Sequence, residues 1–352
     1  RSSSQAPSTA PDNAPANTAA RALMSKKSVR LIVEPDDGLE PVRDFIDSAR
    51  HSLLIKQFTF TEPSLVEATL RRARAGVAVR VMLNAARSGG DRANDDTYAT
   101  FRAAGIDVQW ASPKFYVTHE KSIVVDNRAA MIATYNLMPK YFALTRDYGV
   151  ITQDPAQVAQ IVAVFDADWE HLDIDPPDTA GLLWSNSNSR YQMARFIDRA
   201  KKTLRVQHPK FVDAVILDHI AAAVHRGVDV RVLCGGKHGI SDWDILDTFA
   251  SLRTLCRFGV KVRKQRNLRV HAKLIIVDDG EALVGSMNID RSAFDLRREL
   301  GLTIADPDVV GRLASVFEKD WGDARRYAPP DPLERMPAHE DDFPHDDDLT
   351  HE

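Results

Sequence analysis

Two short motifs place a histidine and a lysine where they could act together on a phosphate ester. His119 and Lys121 form the first motif, and His271 and Lys273 repeat it 152 residues further along the chain. Alternate residues of a strand point to the same face, so each histidine is expected to lie beside its lysine. An imidazole can attack phosphorus or protonate a leaving oxygen, and ammonium groups stabilise negative charge on phosphoryl oxygens. The two motifs therefore predict phosphodiester chemistry.

Further polar residues recur at the same separation of 152 residues and extend the predicted site. Asn136 and Asn288 can add amide donors to the stabilisation of charge. Asp147 and Glu299 each follow the histidine of their own repeat by 28 residues, which makes each a candidate to fix the tautomer of that histidine. No cluster of Cys, His, Asp or Glu has the spacing of metal ligands, and the lysines can supply positive charge. The predicted reaction therefore uses neither a metal ion nor another cofactor.

The aspartates that close the two motifs are predicted to be structural. Asp126 and Asp278 each follow the histidine of their motif by seven positions. An odd number of steps turns a strand residue to the opposite face from the histidine. Both also precede residues that favour turns, Asn127 and Asp279.

The duplication extends beyond the motifs to whole domains. Phe45-Ile46-Asp47 is matched by Phe196-Ile197-Asp198, and residues 76–81 are matched by 227–232, both at a separation of 151 residues. A repeat of about 150 residues has the size of a domain and is far too long for a solenoid unit. We therefore divide the chain into a disordered leader (1–28), an N-terminal repeat (29–178), a C-terminal repeat (179–326) and an acidic tail (327–352).

Each repeat alternates strand and helix patterns. Apolar runs predict strands, and apolar residues at helical spacing predict helices that end at Gly76 and Gly227. The predicted elements are strand 52–58, helix 65–75, strand 77–83 and strand 122–125, then strand 203–207, helix 215–225 and strand 228–234. This order indicates an α/β fold in which helices cover a central sheet.

Composition limits the class of protein to which the chain can belong. The chain has 352 residues, of which 44% are hydrophobic, and it contains no apolar run of about 18 residues that would cross a membrane. The leader is too polar to build a core, and its lack of an initiator methionine favours export, with a cytosolic start at Met24 as the alternative. Seven acids and three histidines between 339 and 352 predict a solvated tail, with metal binding as the alternative. Without leader and tail the net charge is near zero, so charge neither supports nor excludes an anionic polymer as substrate.

The chain contains two cysteines, Cys234 and Cys256. Cys234 ends an apolar strand and Cys256 lies in a segment with a helical pattern. Both are expected to be buried free thiols, and a disulfide between them is the alternative for an exported protein.

Together these residues resemble the two HKD motifs of the phospholipase D superfamily. The resemblance rests on His119, Lys121 and Asp126 with Asn136, and on the matching residues of the second repeat up to Gly285-Ser286-Met287-Asn288. It covers nearly all of residues 29–326. It implies two α/β/α sandwich halves related by a pseudo-twofold axis, with one active site at their junction. It also implies a ping-pong reaction through a phosphohistidine, without metal, with His119 as nucleophile and His271 as general acid, or the reverse.

The first repeat departs from the family pattern at Ala133-Thr134, where Gly-Ser is usual. Thr134 keeps a hydroxyl, so Thr134 and Ser286 are both predicted to contact the substrate. Because Ala and Thr are larger than Gly and Ser, the phosphate pocket of the first half is expected to be tighter.

Two features beside the motifs bear on the substrate. Aromatic residues lead into His119, namely Trp110, Phe115 and Tyr116, and basic residues lead into His271, namely Lys261, Arg263, Lys264, Arg266 and Arg269. Tyr116 and Arg269 are accordingly predicted to contact the substrate. Aromatic rings beside a cationic strip suit an anionic phospholipid at a bilayer surface, and they equally suit a single-stranded nucleic acid.

A phospholipid is the favoured substrate, because a fused pair of repeats of this length resembles bacterial cardiolipin-synthase-like and phospholipase D-like enzymes. The sequence therefore predicts a monomeric phosphodiesterase or phosphatidyltransferase that works at a membrane surface. A nuclease acting on single strands is the alternative. A catalytically inactive scaffold is a second alternative, which the presence of both histidines and both lysines disfavours. Either water or an alcohol could accept the phosphatidyl group.

Overall fold

The computed structural model describes residues 28–86, 90–236, 240, 242–331 and 333. Nearly all of the predicted leader and acidic tail lies outside these residues, so their predicted character stays a prediction. No helix within the described ranges is both long enough and apolar enough to span a membrane.

The first repeat builds one mixed sheet with helices on both faces. Its strands are β1 (Val29–Glu34), β2 (Ser52–Gln57), β3 (Ala78–Leu83), β4 (Asp107–Trp110), β5 (Ser122–Val125), β6 (Ala129–Ala133) and β7 (Thr145–Thr152). Its helices are α1 (Glu40–Asp47), α2 (Pro63–Arg74), α3 (Asp95–Ala103) and α4 (Pro155–Trp169), with a 3-10 turn at Pro139–Phe142. The strand order is β1-β7-β6-β5-β2-β3-β4, and β2, β3 and β4 run parallel.

The second repeat builds the same kind of sheet. Its strands are β8 (Leu182–Trp184), β9 (Thr203–Gln207), β10 (Asp229–Cys234), β11 (Lys261–Lys264), β12 (Arg269–Val270), β13 (Leu274–Val277), β14 (Glu281–Gly285), β15 (Leu300–Ile304) and β16 (Arg325–Arg326). Its helices are α5 (Ser189–Asp198), α6 (Ala214–His225), α7 (Asp242–Arg257), α8 (Arg291–Asp295) and α9 (Pro307–Asp323). The order is β16-β11-β10-β9-β13-β14-β15-β8, whereas the short β12 leaves this sheet and pairs with β7 of the first. The predicted pair of α/β/α halves is confirmed.

Helix starts differ slightly from the prediction because acidic residues cap them. The helix expected from residue 65 begins at Pro63, since the Glu62 side chain accepts a hydrogen bond from the backbone of Ser64. In the same way α6 begins at Ala214 behind Asp213. Gly76 has a φ of +83° just after α2, which is the left-handed conformation expected of a helix terminator.

The central strands are buried on both faces, which explains why they read as continuous apolar runs. In β2, Leu53 and Ile55 pack into a core with α1 and α2, while Leu54 faces a different core on the other side. This second core combines both repeats, because it also contains Ile276 of β13 and Phe317 of α9. The two halves therefore share buried apolar surface.

Asp126 and Asp278 lie in turns at the far end of β5 and β13 from the histidines. Asp126 has a φ of +53°, and its carboxylate accepts hydrogen bonds of 2.7–3.1 Å from the backbone N–H groups of residues 50–52. Asp278 repeats this arrangement with residues 201–203. Burial alone would raise the pKa of each carboxyl, but these N–H groups lower the pKa below its usual value. Both aspartates thus anchor the start of the neighbouring strand.

Both cysteines are free thiols. Cys234 is buried, and burial raises its pKa to about 12. Cys256 is only partly buried where it packs against the core of the second repeat, so the expectation that both thiols are buried is wrong for Cys256.

Candidate active site

Two crossed strand pairings bring the motifs together. Thr118 forms a parallel bridge with Arg298, and β12 pairs in parallel with the start of β7, matching Val270 with Arg146. Each bridge joins one repeat to the other. The next residue in each register is a histidine on one segment and an acid on the other, so the two segments deliver them side by side.

Each histidine is hydrogen-bonded to the acid of the other repeat. Nδ1 of His119 lies 2.9 Å from Oε2 of Glu299, and Nδ1 of His271 lies 2.8 Å from Oδ1 of Asp147. All four side chains are buried. The pairing within a repeat that the spacing of 28 residues suggested is therefore wrong, although both acids do contact a histidine. Parallel register between the repeats decides the partners.

These contacts select the tautomer that the chemistry needs. A carboxylate at Nδ1 holds the proton on that atom, and Nε2 is then the atom that can attack phosphorus. Burial raises the pKa of Glu299 to about 7, although Lys121 and Arg297 oppose the shift. Asp147 also accepts a hydrogen bond of 2.5 Å from the Thr134 hydroxyl.

Each lysine contacts the histidine of its own motif. Nζ of Lys121 donates to the main-chain oxygen of His119 at 2.8 Å and lies 5.2 Å from the centre of the Phe58 ring. Nζ of Lys273 lies 2.8 Å from Nε2 of His271. Lys273 is also 3.4 Å from the main-chain oxygen of Thr134, so it links the two repeats. Both ammonium groups are placed to meet a phosphoryl group that approaches the imidazoles.

The other predicted site residues lie behind the histidines. Asn136 and Asn288 are buried, and Nδ2 of Asn136 lies 3.2 Å from the Tyr141 hydroxyl. The Ser286 hydroxyl accepts a hydrogen bond of 3.1 Å from the Leu300 backbone, next to Glu299. The Thr134 and Ser286 hydroxyls thus contact the strands that carry the acids, and their contact with substrate stays a prediction.

The departure at Ala133 has a local cause. Ala133 lies opposite Gly149 in the β6–β7 pair, as Gly285 lies opposite Gly301 in β14–β15. A side chain on Gly285 would come within 2.6 Å of the Gly301 backbone. The second repeat therefore needs glycine at position 285, whereas the first repeat accommodates the methyl group of Ala133 opposite Gly149.

The predicted substrate residues lie on the segments that lead into the crossed pairings. The Tyr116 side chain is 61% exposed, and its backbone N–H donates to Leu296. The backbone N–H of Arg269 donates to Leu144, which is the residue of the first repeat that corresponds to Leu296. Leu144 and Leu296 are themselves exposed.

The other aromatic and basic residues are engaged elsewhere. Trp110 stacks on Tyr98, and Phe115 lies under the Arg298 guanidinium at 4.3 Å. Lys261 is ion-paired with Asp229, and Arg263 donates to the main chain of Trp321. The prediction that a basic strip approaches the second motif is therefore wrong for Lys261 and Arg263, because both lie on β11 near the edge of the sheet.

A buried acid and a buried histidine that no sequence pattern indicated also lie near the site. Glu34 lies opposite Asp147 in the β1–β7 pair, and burial followed by the Asp147 charge raises its pKa to about 9. His208 follows β9, and burial together with Lys273 holds the pKa of its imidazole well below the usual value. Single residues without a counterpart in the other repeat gave no sequence signal. Among the described residues, no group of three or more His, Cys, Asp or Glu could hold a metal ion.

Comparisons with known proteins agree with this architecture. The crystal structure of a polyphosphate kinase from Porphyromonas gingivalis matches 86% of this chain and 48% of that one, with a TM-score of 0.69 and 16% identity. The structure of a phosphatidylserine synthase from Haemophilus influenzae matches 85% of this chain and 87% of that one, with a TM-score of 0.67 and 15% identity. At these identities the likeness concerns the fold alone.

Sequence relatives give closer matches. A major cardiolipin synthase of Bacillus subtilis is 25% identical over 88% of this chain and 72% of its own length. A cardiolipin synthase of Staphylococcus aureus is 25% identical over 81% of this chain, which spans only 64% of that protein. The family model described as cardiolipin synthase, PLD-like domain, matches twice, at residues 42–169 and 193–321. These two matches cover most of the chain and both sets of site residues, and the chain therefore belongs to this phospholipase D-like family.

Proposed function

We propose that this protein is a phosphatidyltransferase of the phospholipase D type, which acts on phospholipids through a phosphohistidine. The observation that carries the proposal is the crossed pair of buried histidine–carboxylate contacts, each with a lysine beside it. Nucleophilic catalysis needs one imidazole with a free Nε2 lone pair, and the leaving oxygen needs a second imidazole that carries a proton. His119 and His271, each paired with an acid of the other repeat, are proposed to fill these two roles.

In the proposed first step, Nε2 of His119 attacks phosphorus, and Nε2 of His271 protonates the departing alcohol oxygen. Lys121 and Lys273 stabilise the phosphoryl oxygens. Since Lys273 lies 2.8 Å from Nε2 of His271, substrate is expected to draw this lysine onto a phosphoryl oxygen. Nε2 of His271 then takes up a proton from solvent, and this is the proton that it gives to the departing oxygen. In the second step His271 takes a proton from the acceptor hydroxyl, whose oxygen displaces His119 from phosphorus.

The relatives favour a phospholipid as donor and a lipid alcohol as acceptor. Proteins named cardiolipin synthase match more than four-fifths of this chain. Transfer to the hydroxyl of a second phospholipid is therefore proposed over transfer to water. The peripheral attachment to a bilayer that this requires is part of the proposal.

The test is a panel of substrates offered to wild type and to His119→Ala. With phosphatidylglycerol vesicles, wild type should yield cardiolipin and glycerol, with phosphatidic acid as a minor product. His119→Ala should yield none of the three. Phosphatidylcholine vesicles, single-stranded DNA and RNA complete the panel. EDTA is expected to leave the wild-type rate unchanged. Cleavage of nucleic acid with vesicles untouched would replace the proposal with the nuclease alternative, and inactivity on every substrate would favour the scaffold.

A further inference from the structure

Two buried ion pairs cross between the repeats directly behind the acids. Arg298, which precedes Glu299, places Nη2 2.8 Å from Oδ1 of Asp168. Arg146, which precedes Asp147, binds Asp320 with Nε at 2.8 Å and Nη2 at 3.1 Å. All of these arginine and aspartate side chains are buried. We call the two pairs the crossed clamps.

Each clamp joins the strand segment of one repeat to the last helix of the other. Asp168 lies near the end of α4 in the first repeat, and its arginine belongs to the second. Asp320 lies near the end of α9 in the second repeat, and its arginine belongs to the first. Successive residues of an extended segment point to opposite sides. Each guanidinium is therefore anchored on one side while the next residue, an acid, meets its histidine on the other.

We propose that Asp168 and Asp320 are positioning residues, which hold Glu299 and Asp147 in place through the crossed clamps. This inference deepens the proposed function, because it assigns the groups that keep the two catalytic pairs in register. Neither aspartate contacts a histidine, so each acts through its arginine and the adjoining peptide.

The electrostatics of the first clamp fit a permanent ionic anchor. Burial alone would raise the pKa of Asp168, but Lys56 and Arg298 lower it below the usual value. Nζ of Lys56 lies 2.7 Å from Asp168 and 3.0 Å from Glu120, the residue between His119 and Lys121. The first clamp thus also contacts the first motif.

The second clamp is built differently. Gln207 takes the place of Lys56 and donates to Asp320 at 3.0 Å, while the Tyr148 hydroxyl donates to Gln207 at 2.7 Å. Arg146 also pairs with Asp36 at 3.1 Å, so loss of the Asp320 charge would leave this cation one carboxylate. Loss of the Asp168 charge would leave Lys56 with Glu120, but it would remove from Arg298 the carboxylate that it binds. The larger effect is therefore expected at Asp168.

Each helix also carries a control acid, which pairs with an arginine but is about half exposed. Asp166, two residues before Asp168 on α4, pairs with Arg80 at 2.7 Å. Glu318, two residues before Asp320 on α9, pairs with Arg205 at 2.7 Å. Neither control pair adjoins an acid that contacts a histidine. The comparison is Asp168→Asn with Asp166→Asn, and Asp320→Asn with Glu318→Gln.

Two readouts separate positioning from stability. With bis(p-nitrophenyl) phosphate as a soluble probe, Asp168→Asn and Asp320→Asn should lower kcat about 10- to 100-fold and change KM little, because displacement of a reacting group costs rate. In proton NMR spectra, the Nδ1–H signals of His119 and His271 should be assigned by their loss in the alanine variants. Asp168→Asn should shift or broaden the His119 signal, and Asp320→Asn the His271 signal. Both controls should keep wild-type kcat and both signals.

The outcomes distinguish the inference from the proposed function. If folded Asp168→Asn and Asp320→Asn keep kcat and both signals, the positioning role is overturned. If the signals respond as expected but wild type cleaves no phosphodiester, the inference holds and the proposed function fails. Should an asparagine variant not fold, Arg298→Lys or Arg146→Lys takes its place, because lysine keeps the charge and loses the fixed geometry of the guanidinium. An unchanged signal in the lysine variant counts against the inference.

Discussion

The two histidines proposed to be catalytic are alike in sequence but differ in their buried neighbours. Glu299, the partner of His119, has a pKa of about 7, whereas Asp147, the partner of His271, also receives the Thr134 hydroxyl and has Glu34 on the adjacent strand. A nucleophile and a general acid need different proton affinities at the same stage of a reaction. The unlike surroundings make a division of labour between the two imidazoles physically reasonable.

His119→Ala and His271→Ala should each lower turnover by at least about 10³-fold, because each removes a reacting group rather than a binding contact. Circular dichroism and thermal unfolding should show that both variants keep the fold. Steady-state rates with phosphatidylglycerol vesicles provide the measurement. Turnover near the wild-type rate in either folded variant would remove that histidine from the mechanism.

Glu34→Gln should make the protein progressively more stable than wild type as pH rises. The pKa of Glu34 is raised from 4.5 to about 9, so the stability that its neutral form contributes is complete below pH 4.5 and is lost as pH rises through 9. Glutamine stays neutral and avoids this loss, and the difference should grow by up to about 1.4 kcal/mol per pH unit within that window. Urea unfolding at several pH values measures it, with Glu40→Gln on the surface as control. A difference that does not change with pH would show that Glu34 is ionised in the folded protein.

At the scale of elements, short irregular segments decide the site. The long strands carry enough apolar residues to be recognised from sequence, and the predicted strand over 203–207 matches β9 to the residue. The segments that cross between repeats have no such pattern, since β12 has two residues and Thr118 forms an isolated bridge. The spacing of 28 residues is the same in both repeats, so it cannot distinguish pairing within a repeat from pairing between repeats. The two acids that contact the histidines could therefore be predicted from sequence, and which histidine each acid contacts could not.

The turn aspartates and the strand acids should respond differently to loss of charge. Asp126→Asn and Asp278→Asn should lower the free energy of unfolding by about 1–3 kcal/mol, because each weakens several hydrogen bonds to a charged acceptor. Asp147→Asn and Glu299→Gln should instead lower kcat by about 10²- to 10⁴-fold, because the histidine loses the carboxylate that orients it. Melting temperature and kcat for all four variants test this. The reverse pattern would mean that the turn aspartates take part in the reaction.

At the scale of the whole molecule, the duplication and the active site depend on each other. Neither repeat contains both members of a pair at the candidate site, because His119–Glu299 and His271–Asp147 each take one member from each repeat. The signal for duplication is strong in the sequence, at constant separations of 151 and 152 residues. The contacts that join the halves are a shared apolar core, two short strand pairings and two buried ion pairs, and none of these follows from the repeat spacing.

The shared core should make the two halves unfold together. Phe317 is fully buried in the core that also contains β5, β6 and α4 of the first repeat, whereas Phe249 is buried in a core made by the second repeat alone. Phe317→Ala should lower the free energy of unfolding by about 3–5 kcal/mol through loss of burial and the cavity left behind. Because both halves contact this core, calorimetry should show one transition at a lower temperature, with loss of activity in the same range. Phe249→Ala is the matched substitution and should also lower a single transition. If Phe317→Ala instead splits the unfolding into two transitions, of which only one moves, the halves are energetically independent and the crossed pairs alone hold the site together.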